Sequence, residues 1–321
     1  MCHWCSDESD ASVLAAGDWV KIDLAAHVDG YVASVAHTLV VPPAPDAPPP
    51  PPPDGRCGDL LAAAEAAREL LLRLVRPGGR SSSVAPALAT LASSFGVSLL
   101  EGVLMHQTKR FVLDGNKVIL AKPSPELRAV DVPFEDNEVY ILDVVLSTGD
   151  GKAKVVDEKQ TSVYKRAVDR KQNLKMKAAR AVFGDVLARF PTLPFPVRTL
   201  AAEAEGGAAR VKLGLRECSS AELITAFPVL WEKAGEHVAH FKFTVMLLPS
   251  GPDRVTGLPV PPHSSDKAIT DEGLLAILAQ PVKVDKKAAK AAKKAAAVEG
   301  GAPAAPAPPA APGAAPASAP A

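Results

Sequence analysis

Two stretches far apart in the chain constrain its fold most. Glu138 to Ser147 (EVYILDVVLS) and His237 to Leu248 (HVAHFKFTVMLL) are apolar runs ended by turn formers, Thr148-Gly149-Asp150-Gly151 and Pro249-Ser250-Gly251-Pro252. Runs of this length and composition read as buried strands. Asp143 sits inside the first, and a carboxylate in such a strand needs partners, because an unpaired buried charge is not tolerated. Around these strands the pattern is mixed. Trp19 to Leu24 and Tyr31 to Val41 read as a hairpin turning at Val28-Asp29-Gly30. Leu60 to Val75, stopped by Pro77-Gly78-Gly79, and Val84 to Phe95 repeat apolar residues at helical spacing, while Leu99 to Leu120 alternates loosely, as strand with loop. Asn173 to Phe190 reads as a basic amphipathic helix stopped by Pro191 and Pro194, and Ser219 to Ala226 as a short helix capped by Ser219 or Ser220. The order predicts an α+β domain over residues 1–281, with a small insert at 165–226.

Proline, 31 residues of 321, is concentrated in two tracts. Pro42 to Pro53 cannot donate to a sheet ladder, so residues 42–55 are expected to form an extended surface loop. Residues 300–321 are almost wholly Ala and Pro and cannot bury enough apolar area to offset their ordering, which predicts a disordered tail. Between it and the domain, residues 282–299 form a lysine and alanine segment, helical at most and without an anchor for a core. Cys2, Cys5, Cys57 and Cys218 are too scattered for a disulfide framework. Cys2-x-x-Cys5 has the spacing of half a zinc site or a redox motif, with no second pair to complete it. No run approaches the ~18 apolar residues of a membrane span, so a membrane partner is not expected.

Several strings carry a resemblance. Gly17-Asp18-Trp19-Val20-Lys21-Ile22-Asp23, Val139-Tyr140-Ile141-Leu142-Asp143 and Val238-Ala239-His240-Phe241-Lys242-Phe243-Thr244-Val245 resemble, in the same order, the strands that carry the metal ligands of type II methionine aminopeptidases. Ala36-His37-Thr38, Glu101-Gly102, and Tyr164-Lys165-Arg166 followed by Leu174-Lys175-Met176-Lys177 resemble more closely the proliferation-associated, ErbB-receptor-binding proteins, their non-catalytic relatives. The resemblance runs from Cys2-His3 to Pro252 and implies a pita-bread fold. It matches Cys2-His3 to an internal strand, so the fold is expected to be incomplete at the N-terminus. The Pro42 to Pro53 tract and the Ala/Pro tail depart from the family pattern.

The resemblance also assigns a chemistry. A two-metal site needs anionic oxygens to hold ions about 3.5 to 4 Å apart with an activated water between them. The first ligand position matches Asp23 and the fourth Asp143, one methylene shorter than the family's glutamate; the second falls at Ser34, the third at Val103 and the fifth at Lys242. A serine is a weak neutral ligand, valine has no lone pair, and an ammonium repels a metal. His106 comes three residues too late to substitute. The resemblance therefore implies no catalytic residue, metal, cofactor or small-molecule substrate. Asp23, Asp143 and Lys242 are expected to form a buried ion-pair cluster instead, and His3 matches a histidine that contacts substrate in the peptidases, marking a vestigial pocket.

Charge points elsewhere. Basic and acidic residues both number 36, so zero net charge gives no global reason for a polyanionic partner. Lys165 to Arg198, however, holds nine bases to two acids, including Lys165, Arg166, Lys171, Lys175, Lys177 and Arg180. In the tail segment Lys283, Lys287, Lys290 and Lys294 form a helical stripe flanked by Lys286 and Lys293. Such clusters fit phosphates. With the resemblance they imply RNA and ribosome partners, a role in rRNA processing and translation, and residence in the cytoplasm, nucleus and nucleolus. Protein partners of transcription or signalling are one alternative; a residual aminopeptidase, which the ligand count disfavours, is another.

Overall fold

The computed structural model describes residues 2–6, 10–44, 51–123, 127–171, 173–202 and 207–283. The hairpin is β1 (Trp19–Val28) and β2 (Tyr31–Val40), followed by α1 (Gly55–Leu74) and α2 (Val84–Phe95). The loosely alternating stretch divides into β3 (Ser98–Leu99), β4 (Leu104–Thr108) and β5 (Val118–Leu120), and the first buried run is β6 (Val139–Ser147). Next come β7 (Lys154–Val155), β8 (Val163–Arg166), α3 (Lys177–Arg189), β9 (Phe195–Pro196), α4 (Val197–Ala201), α5 (Gly207–Ser220) and β10 (Ile224–Phe227). The chain returns through β11 (Leu230–Trp231) to β12 (Val238–Leu248), β13 (Gly251–Arg254) and α6 (Glu272–Leu278).

One antiparallel sheet in the order β1-β2-β12-β6-β4-β5 organises the molecule, with β13 added to β12 and β3 to β6. Alternation along its strands decides what each face carries. Tyr140, Leu142, Val144 and Leu146 of β6 and Phe241, Phe243, Val245 and Leu247 of β12 bury one face in a core with Leu60, Leu61, Leu70 and Leu71 of α1 and Leu88 and Leu91 of α2. The opposite parity therefore sends Asp143 and Lys242 to the other face. At one edge, β1 leaves Ile22, Leu24 and Val28 exposed.

Helix α1 begins five residues before its apolar periodicity does. The segment around Ser264 crosses its first turn so closely that a Cβ at Gly58 would overlap the Ser264 carbonyl, and Ser264 N donates to Pro53 O at 3.0 Å. The expected helix at Ser219 to Ala226 is a correction. Residues 219 and 220 end α5, Glu222 adopts a left-handed φ of 55°, and Ile224 to Phe227 pair as β10 with β8. The left-handed residue breaks the helix, and β-branched Ile224 and Thr225 suit a pleated strand. The helix that does form buries Val211, Leu215 and Cys218, one turn apart, against Ala179, Val182 and Val186 of α3. Gly214 permits this approach, since a Cβ there would come within 2.8 Å of Val182 Cγ2 and 2.9 Å of the Ala178 carbonyl. These helices and β8, β9 and β10 make a second core, separate from the main one.

Residues 42–44 and 51–54 have no regular structure; the rest of the proline loop, most of the lysine segment and the whole Ala/Pro tail lie outside the described residues. Among the described residues no helix is long and apolar enough to cross a membrane.

Candidate functional site

Strand register brings the predicted charges together. Asp23 pairs with Ala36, Ala36 with Lys242, and Lys242 with Asp143, a row across β1, β2, β12 and β6. Directly paired residues project to the same side of a sheet, so the three charged groups share the face turned away from the helices. Ala36, between them, is too small to block the lysine. Lys242 Nζ reaches Asp23 Oδ2 at 2.6 Å and lies 3.6 Å from Asp143 Oδ2. Lys242 and Asp143 are 18% and 16% exposed, whereas Asp23 is 47% exposed.

A histidine that the sequence reading did not single out completes the cluster. His240 Nε2 stands 2.8 Å from Asp143 Oδ1, out of line for a hydrogen bond. Thr38 fixes its backbone, the Thr38 hydroxyl donating to His240 O at 3.0 Å and accepting from His240 N at 2.7 Å. The signal was available: His240 and Lys242 are two apart on a strand and so face the same way. Burial alone raises the Asp143 pKa, but His240 and Lys242 outweigh it and hold the carboxyl below its ordinary range. Burial likewise lowers Lys242, and Asp143 and Asp23 outweigh it, holding the ammonium protonated. The row thus places a cation between two carboxylates.

The remaining ligand positions do other things. Ser34 is clamped by its backbone: its N–H donates to Thr244 Oγ1 at 2.9 Å, and its carbonyl accepts from Thr244 Oγ1 at 3.1 Å and Thr256 Oγ1 at 2.6 Å. Val103 packs against both the main core and a small cluster with Leu100 and Val145. His106 points a buried Nδ1 at no partner among the described residues. Burial, with Lys165 acting the same way, lowers its pKa. His3 lies 3.1 Å by Nδ1 from the Pro228 carbonyl and edge-on to Phe227 at 5.4 Å. Desolvation lowers its pKa most, and Lys242 and His240 are near enough to add to the effect.

The basic residues separate into two kinds. Lys165 is ion-paired with Asp114 and only 16% exposed, and Arg166 is half-buried. Lys171, Lys175, Lys177 and Arg180 are exposed where the chain enters α3. That entry is held firmly. Glu217 of α5 accepts from the backbone N–H groups of Lys175 at 2.6 Å and Met176 at 3.0 Å, while the Arg180 guanidinium donates to the carbonyls of Leu174 and Lys175 at 3.0 and 2.9 Å. Of the tail stripe, Lys283 bonds Asp253 at 2.5 Å; Lys286, Lys287, Lys290, Lys293 and Lys294 lie outside the described residues.

Known proteins resemble the chain over most of its length. Residues 1–142 match the model of metallopeptidase family M24. The chain is 46% identical to ErbB-3 binding protein 1 of Solanum tuberosum over 89% of its own length and 71% of that protein's. It is 34% identical to the curved DNA-binding protein of Schizosaccharomyces pombe over 88% of the chain and 71% of that protein. Among solved structures it is similar to an Arx1 from a thermophile, with a TM-score of 0.77 at 25% identity, covering 85% of this chain and 76% of that one. The eight-stranded sheet with its helices on one face is therefore the pita-bread fold of the M24 peptidases. The chain belongs to the proliferation-associated, ErbB-3-binding protein family.

Proposed function

We propose that this protein is a non-catalytic member of its family that acts as an RNA-binding, ribosome-associated regulator of rRNA processing, translation and growth, in cytoplasm and nucleus. The observation that carries the proposal is the group of exposed cations, Lys171, Lys175, Lys177 and Arg180, on a chain segment pinned by Glu217. Ordered cations lose less entropy on meeting phosphates than cations on a flexible chain. The name of the fission yeast relative supports a nucleic-acid partner. The absence of catalysis rests on Lys242, whose ammonium stands between Asp23 and Asp143 where the peptidase pattern requires a ligand. With Ser34 and Val103 at two further positions, the chain retains too few anionic groups for a pair of divalent ions.

A second reading, a protein-interaction module, is favoured by the hairpin tip. Arg110 lies 5.8 Å from the Tyr31 ring and 5.2 Å from the Phe111 ring, and Asp29 neutralises it through bonds of 2.6 Å. Tyr31 and Phe111 are 63% and 49% exposed, the kind of rigid aromatic and arginine group that anchors protein partners. Crosslinking in cells, followed by capture with and without RNase, separates the two. The proposal requires RNase-sensitive ribosomal partners and RNA crosslinks between Lys165 and Arg198; RNase-resistant protein partners crosslinked at Tyr31 and Phe111 would overturn it.

A further inference from the structure

A cavity of about 580 Å³ opens on the insert, within the ~300–1,000 Å³ of small-ligand sites. Arg166, Arg170 and Lys171 line it together with Phe183 and Leu187 of α3 and the buried Leu223. The Arg166 Nη1 is 3.5 Å from the Pro191 carbonyl, and no described carboxylate pairs with Arg166 or with Lys171. Arg170 is shared at longer range between Asp169 at 3.8 Å and Glu222 at 3.5 Å. A guanidinium and an ammonium without carboxylate partners favour an anion, which guanidinium geometry fits best. The space is much more than a lone phosphate needs, and Phe183 adds an aromatic ring beside aliphatic side chains to its lining.

We propose that this cavity takes one unstacked nucleotide, its phosphate on Arg166 and Lys171 and its base against Phe183 and Leu187. The assignment deepens the RNA reading and rests on it. A base in a regular A-form helix cannot reach such a cavity, whereas a bulged or looped base can be splayed out onto an aromatic ring. The exposed Lys175 and Lys177 would then meet flanking phosphates without reading the base, so the insert would distinguish a bulge from a duplex by the cavity alone.

The test uses the full chain and fluorescence anisotropy with a perfectly paired RNA hairpin, the same hairpin with a one-nucleotide bulge, and free UMP or AMP as competitor. Base stacking predicts a preference of about tenfold for the bulged hairpin. Phe183→Leu keeps an apolar side chain against the insert core but removes the stacking face; it should bring the two hairpins to within about twofold, leaving the paired one unchanged. Arg166→Gln should weaken the bulged hairpin selectively, and Lys175→Gln with Lys177→Gln should weaken both hairpins alike. Equal binding of both hairpins by the wild type would overturn the cavity assignment while the RNA reading stood. Binding of neither would overturn both. Displacement of the bulged hairpin by equimolar free nucleotide would show that the cavity serves free nucleotides and overturn its assignment to RNA.

Discussion

A Lys242→Met substitution keeps most of the side chain's length, removes its charge, and leaves Asp143 inside the sheet with His240 beside it, at 2.8 Å. Removing one partner of a buried pair costs about 3–5 kcal/mol, most of it the cost of the stranded charge. Two features place this case at the low end. Asp23 is half-exposed and returns to water, so its pair adds no more than about 1 kcal/mol. His240 still faces Asp143 at 2.8 Å. The expected loss is about 3 kcal/mol at pH 7, read by urea titration of the 321-residue chain through tryptophan fluorescence. The pH dependence follows from the direction of the shift. In the wild type the Asp143 carboxyl is held low, so its stabilisation is present above the ordinary carboxylate value of about 3.9 and is lost only as pH falls through the depressed one. In the variant Lys242 no longer opposes burial, the carboxyl rises, and protonation removes the stranded charge. The gap between the two proteins should therefore narrow from pH 7 to pH 5. Lys242→Met combined with Asp143→Asn should recover all but about 1 kcal/mol. A loss under about 1 kcal/mol at pH 7, a gap independent of pH, or a double variant no better than the single would refute the reasoning.

Lys242→Glu should neither hydrolyse methionyl peptides nor retain stoichiometric cobalt, manganese or zinc by elemental analysis, because Ser34 and Val103 still offer no ligand; metal-dependent turnover would show otherwise. Gly214→Ala should destabilise the packing of α3 on α5 by about 1–3 kcal/mol, since the added methyl meets the Ala178 backbone. Hydrogen exchange should accelerate from Lys177 to Phe227 and stay unchanged in β6 and β12; acceleration across the whole sheet would contradict a separate insert core.

The strands that fix the site were legible because both are long apolar runs ended by strong turn signals, and the helices α1 and α2 because Leu and Ala recur at a steady helical period. Register was not legible. Nothing local says that Ala36 stands between Asp23 and Lys242, although the small residue is what lets the lysine cross. His240 could have been found from strand alternation alone, but the resemblance drew the reading to ligand positions and histidine was not expected there. Helix α5 was missed because its buried stripe is made of Val211, Leu215 and Cys218 among glycines and polar residues, a weak signal, while Ser219 and Ser220 look like an N-cap. Lys165 read as a surface cation; its pairing with Asp114, from the loop after β4, is a long-range contact that charge counting cannot supply. The cavity on the insert is invisible for the same reason, since β8, α3 and Leu223 meet there only in three dimensions.

The central claim is that this chain works by gripping RNA through the insert, and the salt dependence of that grip tests it most directly. Lys171, Lys175 and Lys177 are the residues to change to Gln together, because Arg180 also holds the backbone of Leu174 and Lys175 and its loss would mix folding with contact. If the three lysines meet phosphates, log affinity for a structured RNA falls linearly with log salt for the wild type, and the triple variant's slope is smaller by about 2–3. Affinity that does not depend on salt, or a triple variant with the wild-type slope and affinity, would contradict the account.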